Sequence, residues 1–184
     1  MVFGDSLSAG YGLPQGRGWV DLLQQRLERE AYRYRVVNAS ISGDTTLGGR
    51  NRVAEALAQH RPRIVIIELG ANDGLRGQSL DAMRKNLAAI VRVCRAAKAK
   101  VLLIGMRIPP NYGPDYTEKF QASFAAVAAK MHAPLVPFLL EGFAHRRDLF
   151  QADGMHPDVE AQKLMLDNVW GTLRPLLGQP VHPR

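Results

Sequence analysis

A chain of 184 residues, 46% hydrophobic and 22% charged, has the make-up of one globular domain able to bury its core without disulfides or metal. No apolar run approaches the length of a membrane span, and a single cysteine, Cys94, excludes an internal disulfide. The net charge is +7, but the basic residues are scattered, with no like-charge block and no nucleic-acid motif. A nucleic-acid partner is therefore not expected, whereas a diffuse positive field suits anionic lipids or phosphate-bearing substrates.

Strands and helices alternate along the chain. Met1 to Phe3 is a short first strand, ending at Gly4-Asp5-Ser6. Only three residues precede Gly4, against the five or six of a usual strand, so upstream residues are expected before Met1. Gly16 to Glu30 carries Trp19, Val20, Leu23 and Leu27 at helical spacing. Arg35 to Asn38 is a second strand, and Thr46 to Gln59 a helix with Val53, Ala54 and Leu57 inward. Ile64 to Leu69 is rich in β-branched residues and runs into Gly70, the pattern of a central parallel strand. Leu80 to Ala97 is a long helix whose apolar stripe includes Cys94, read as a buried, inert thiol. Val101 to Ile104 is the fourth strand, Tyr116 to Met131 a helix, Leu135 to Phe138 a fifth strand and Val159 to Leu176 the last helix. Residues 1–177 form one domain, and the tail Gly178 to Arg184 is expected to fray.

Five βα units predict an α/β/α sandwich on a five-stranded parallel sheet. Ligands of such folds bind beyond the carboxyl ends of the strands. Ser6 follows strand one, Ser40 to Thr45 follow strand two, and Gly70 to Asp73 follow strand three. A serine between strand and helix can expose its hydroxyl, although the same position suits a helix cap. His156 follows Asp153 by three residues in a loop punctuated by Gly154 and Pro157. That spacing lets a carboxylate orient an imidazole, although an Asp-Gly turn at a helix entry reads the same way. Gly43 can offer an unobstructed backbone N–H and Asn72 a side-chain N–H, the donors an oxyanion needs; both also suit ordinary turns. No G-x-S-x-G, G-x-G-x-x-G or Walker sequence is present, and no Cys/His cluster suggests a metal. Asp44 and Asp73 read as residues that hold loop backbones.

These four segments resemble the ordered blocks of the SGNH (GDSL) hydrolase family. Gly4-Asp5-Ser6-Leu7-Ser8 is similar to its nucleophile block, Gly43 to its glycine block, Gly70-Ala71-Asn72-Asp73 to its G-x-N-D block, and Asp153-Gly154-Met155-His156 to its D-x-x-H block. The match spans almost the whole chain in the family's order. Asn38 to Thr45, Asn72 to Gly77 and Arg107 to Gly113 further resemble the bacterial multifunctional thioesterase/arylesterase/lysophospholipase group. The short first strand departs from the pattern.

The resemblance implies a flavodoxin-like SGNH hydrolase fold and a set of roles. Ser6 would be the nucleophile, His156 the general base and then acid, and Asp153 the residue orienting His156. The Ser6 and Gly43 N–H groups and the Asn72 side chain would form the oxyanion hole. Leu75, in the loop Gly74 to Ser79, and Ile108 with Pro109 would border an acyl groove. The expected activity is hydrolysis of small-molecule acyl esters and thioesters through an acyl-enzyme, with no metal or organic cofactor and with transient contact with lipid surfaces. A carbohydrate O-acetylesterase on the same scaffold is the alternative. A non-catalytic flavodoxin-like module is disfavoured, because Gly4-Asp5-Ser6 occupies the flavin phosphate-loop position and Phe138 and Leu139 the place of a phosphoacceptor site's lysine. A signal peptide lost upstream of Met1 would make the protein periplasmic or secreted; without one it is cytoplasmic.

Overall fold

Three strands dominated by Val, Ile and Leu form the middle of the molecule because both of their faces are covered. In the computed structural model, which describes residues 1–181, these are β1 (Val2–Gly4), β2 (Ile64–Glu68) and β3 (Lys100–Ile104), joined by a two-residue β4 (Leu135–Val136). All pairings are parallel, in the order β1-β2-β3-β4, with Val2 beside Ile66, Val65 beside Val101 and Leu103 beside Leu135. Every residue of β2 is buried, as a strand with helices on both faces requires.

The sheet has four strands rather than five. The expected second strand lies alongside β1 but forms one isolated bridge, Val2 to Asn38. Val2 N–H bonds to Val37 C=O and Ala39 N–H to Val2 C=O, both at 2.8 Å. Ile41 N–H still reaches Gly4 C=O at 3.0 Å, but the Gly4 N–H goes to the Ser40 hydroxyl at 3.1 Å and Ala39 C=O accepts from Arg52 at 2.6 Å, so the regular ladder ends. Side chains have taken the places of ladder partners at this edge. β4 stops early because Gly105 C=O takes the Leu139 N–H, at 3.1 Å, where a regular ladder would take that of Phe138.

Helices α2 (Trp19–Arg29) and α7 (Gln162–Leu177) pack on each other, while α3 (Thr46–His60) packs on α5 (Leu80–Ala96) and α5 on α6 (Pro114–Lys130). The sheet sits between these two layers, giving the expected α/β/α sandwich. Trp19, Phe3, Phe120, Phe124, Ile67 and Leu87 are almost wholly buried between the layers. Two short helices, α1 (Ser6–Ala9) and α4 (Ala71–Leu75), arise in segments read as loops. Of the tail expected to fray, Val181 N–H bonds to Ala31 C=O at 2.9 Å, and residues 182–184 lie outside the described residues.

Candidate active site

β1 delivers Ser6 to the first position of α1, where Asp5 caps the helix by accepting the Leu7 N–H at 3.0 Å. The Ser6 hydroxyl therefore projects from the carboxyl edge of the sheet and is not spent on capping. His156 reaches it from the loop before α7: its Nε2 lies 2.9 Å from Ser6 Oγ. Its Nδ1 lies 2.6 Å from Asp153 Oδ2. Asp153 Oδ1 accepts the backbone N–H groups of Met155 and His156 at 2.9 and 3.0 Å. These backbone bonds first, and the imidazole second, pull the Asp153 carboxyl down to about 2. Asp153 is thus ionised at any pH at which the protein would work, although its side chain is 35% exposed.

The expected oxyanion donors meet at the same edge. Gly43 is the third residue of a turn closed by Asp44 N–H to Ile41 C=O at 3.1 Å, with φ of +79°, a conformation glycine adopts without strain. Neither the Ser6 nor the Gly43 N–H has a partner among the described residues. Asn72, in the first turn of α4, donates to Asp44 C=O at 2.9 Å and, over a longer 3.3 Å, to Asp5 Oδ2. The shorter bond anchors the amide, and the longer one is the N–H that a competing oxyanion would take.

Asp73 and Asp44 hold loops. Asp73 accepts the Thr46 N–H at 2.8 Å and the Thr46 hydroxyl at 2.5 Å, fixing the start of α3. Asp44 is paired with Arg52 at 2.7 Å. Arg52 also donates to Ala39 C=O at 2.6 Å and to Gly4 C=O at 3.3 Å, with its guanidinium 3.8 Å over the Phe3 ring. One arginine thus ties the glycine loop to the strand that carries Ser6. The sequence reading missed it, because its only signal was an arginine at a helix position facing the sheet.

The three expected groove residues differ in exposure. Ile108 is 8% exposed and belongs to the core, Leu75 is half-buried, and Pro109 is exposed. The two segments are joined, since Tyr112 hydroxyl donates to Leu75 C=O at 2.8 Å and Tyr116 hydroxyl to Gln78 C=O at 2.9 Å. A cavity of about 890 Å³ opens elsewhere, at the amino-terminal ends of β1 and β2, and none of the candidate residues lines it. Among the described residues, no three His, Cys, Asp or Glu side chains gather as a metal site. None of the helices described is long and apolar enough to cross a membrane.

Beneath Ser6 lies a feature invisible in the sequence. Glu68, fully buried at the end of β2, accepts the Ser8 hydroxyl at 2.8 Å and the Asp5 N–H at 3.4 Å. Its Oε1 has no hydrogen-bond partner. Burial raises both the Asp5 and the Glu68 carboxyls, and their mutual repulsion raises Glu68 further. Both carboxyls therefore keep their protons to higher pH in the folded protein than in the unfolded chain. Stability should consequently fall as pH rises from about 4 toward neutrality. Glu68→Gln, whose amide can donate to Asp5 without titrating, should flatten that slope and raise Tm at pH 8 relative to pH 5. Thermal unfolding at the two pH values checks this; an unchanged slope would mean the pair carries no extra proton.

Residues 2–164 match the model of the GDSL-like Lipase/Acylhydrolase family. Esterase TesA of Pseudomonas aeruginosa is 54% identical over 177 residues, covering 96% of this chain and 88% of that protein. Thioesterase 1/protease 1/lysophospholipase L1 of Escherichia coli K12 is 40% identical, covering 96% of this chain and 84% of that protein. A crystal structure of TesA superposes with a TM-score of 0.93, covering 96% of this chain and 98% of that one at 54% identity. The chain belongs to the GDSL-like lipase/acylhydrolase family.

Proposed function

We propose that the protein is a serine hydrolase that cleaves carboxylic ester and thioester bonds of small acyl substrates through an acyl-enzyme. One observation carries the reading: the unbroken line from Ser6 Oγ to His156 Nε2 at 2.9 Å and from His156 Nδ1 to Asp153 Oδ2 at 2.6 Å. Ser6 attacks the carbonyl carbon while His156 takes its proton, and the ionised Asp153 stabilises the imidazolium that forms. The Ser6 and Gly43 N–H groups and the Asn72 amide receive the developing oxyanion. His156 then protonates the departing alcohol or thiol. Water, deprotonated by the same imidazole, releases the acid and restores Ser6. The acyl ester and thioester chemistry named for the relatives supports this substrate class. The exposed apolar side chains of Tyr11, Ile41 and Met155 beside the site support transient contact with lipid surfaces. A turnover panel of aryl esters, acyl thioesters, lysophospholipids and sugar acetates tests the reading; turnover of sugar acetates alone would replace it with a carbohydrate O-acetylesterase.

An acyl chain lying between the Leu75 loop and the Ile108 segment would gain about 0.8 kcal/mol per buried methylene. We therefore expect kcat/KM to rise with acyl length over the first several carbons and then level off. Ile108→Ala should flatten this rise while sparing short aryl esters. Because Ile108 is buried, the same change should also cost about 2–5 kcal/mol of stability. A wild-type preference for acetyl over longer acyl groups would refute the groove.

A further inference from the structure

We propose that Gln151 is a positioning residue, a strap between the segment carrying the nucleophile and the loop carrying the imidazole that fixes the separation of Ser6 and His156. Its side-chain amide donates both hydrogens to carbonyls, to Tyr11 at 2.8 Å on the nucleophile side and to Pro157 at 3.2 Å on the imidazole side. Its backbone N–H donates to His156 C=O at 2.8 Å, and Tyr11 N–H donates to Ser6 C=O at 3.1 Å. The circuit therefore runs from the Ser6 backbone through Tyr11 and Gln151 to the His156 backbone. Beside it, the Tyr11 ring lies 4.6 Å from the His156 ring, centroid to centroid. Two carbonyl acceptors on one amide nitrogen fix which way the amide faces.

Gly12 makes room for the strap. A Cβ at this position would overlap the Gln151 side-chain amide, and Gly12 has φ of +72°. On the far side of the loop, Gln162 accepts the Trp19 N–H at 3.0 Å and donates to Asp158 C=O at 2.9 Å and to Pro157 C=O at 3.3 Å. Gln162 is 1% exposed and built into the core, whereas Gln151 is half-buried, so Gln151 can be changed without emptying the interior.

The inference rests on Ser6 and His156 acting as nucleophile and base, and the test separates the two claims. The probe is a serine-directed phosphonate, whose reaction with Ser6 needs the imidazole at its proper distance. Gln151→Met, similar in length but without donors, should slow both phosphonylation and kcat about 10- to 100-fold, since small misplacements of catalytic groups cost that much. KM should stay within about threefold, as expected when transition-state geometry is lost and ground-state binding is kept. Gln151→Glu, of the same size but only an acceptor when ionised, should be at least as slow. Gly12→Ala, whose Cβ would push the Gln151 amide off its two carbonyls, should slow phosphonylation as well. Gln151→Glu carries the test should Gln151→Met fail to fold. Equal phosphonylation rates in the native protein and in folded Gln151→Met or Gln151→Glu would overturn the strap. Absence of any Ser6 label in the native protein would instead overturn the catalytic reading beneath it.

Discussion

Ser6→Ala should remove hydrolytic turnover almost completely, lowering kcat about 10⁴- to 10⁶-fold while leaving the fold in place. The size of the effect follows from the route. Without the hydroxyl no acyl-enzyme forms, and only direct attack by water remains, assisted by the oxyanion donors. The fold should survive because Ser6 is half-buried and its hydroxyl's partner is the exposed-loop histidine rather than a core group. The Asp5 cap and the Arg52 bonds that hold the turn do not involve the Ser6 side chain. A serine-directed phosphonate should label Ser6 in the native protein and leave the variant unlabelled, with circular dichroism and Tm unchanged within a few degrees. Labelling at another serine, or turnover within tenfold of native in the folded variant, would reject Ser6 as nucleophile.

Much of this architecture was legible because it depends on local pattern. β2 reads as a central strand from Ile64-Val65-Ile66-Ile67 alone, and α5 from the stripe through Leu87, Ile90, Val91 and Cys94. The segments carrying Ser6, Gly43 and Asn72 stand out because each directly follows a strand pattern, where open α/β sheets collect ligands. What the sequence hid depends on partners distant in the chain. Arg35 to Asn38 has the composition of a strand, but the Ser40 hydroxyl and the distant Arg52 take the bonds that would extend its ladder on β1. The α1 and α4 helices are too short for any periodicity to register. Glu68 looks like a polar residue closing a strand, and only the fold buries it against Asp5, 63 positions away in the chain. Gln151 is likewise unremarkable until the chain closes and brings Tyr11, 140 positions earlier, within hydrogen-bonding distance.

Asp153→Asn should cost about 10⁴-fold in kcat although it changes one atom, and the reason lies in which oxygen is already committed. Asp153 Oδ1 accepts two backbone N–H groups, from Met155 and His156. An asparagine must keep its carbonyl oxygen there, since an NH₂ group facing two N–H donors would leave all of them unsatisfied. Its NH₂ group then faces His156 Nδ1, where Asp153 Oδ2 accepts at 2.6 Å. A donor at that place forces Nδ1 to accept, so the ring proton moves to Nε2, the nitrogen that must take the proton of Ser6. The variant would keep its loop and lose its base. In the native enzyme, kcat/KM should rise with pH, because the general base must be unprotonated to act, while Asp153, held down at about 2, is ionised throughout. His156→Ala should abolish this rise together with most of the activity. The Asp153 carboxyl, held down at about 2, adds stability that is present above the ordinary carboxylate range and is lost as pH falls toward 2. Asp153→Asn should therefore also blunt acid unfolding below about pH 4, an effect measurable by thermal melts without any substrate. An Asp153→Asn enzyme that keeps kcat within tenfold of native would show that another group sets the imidazole's tautomer.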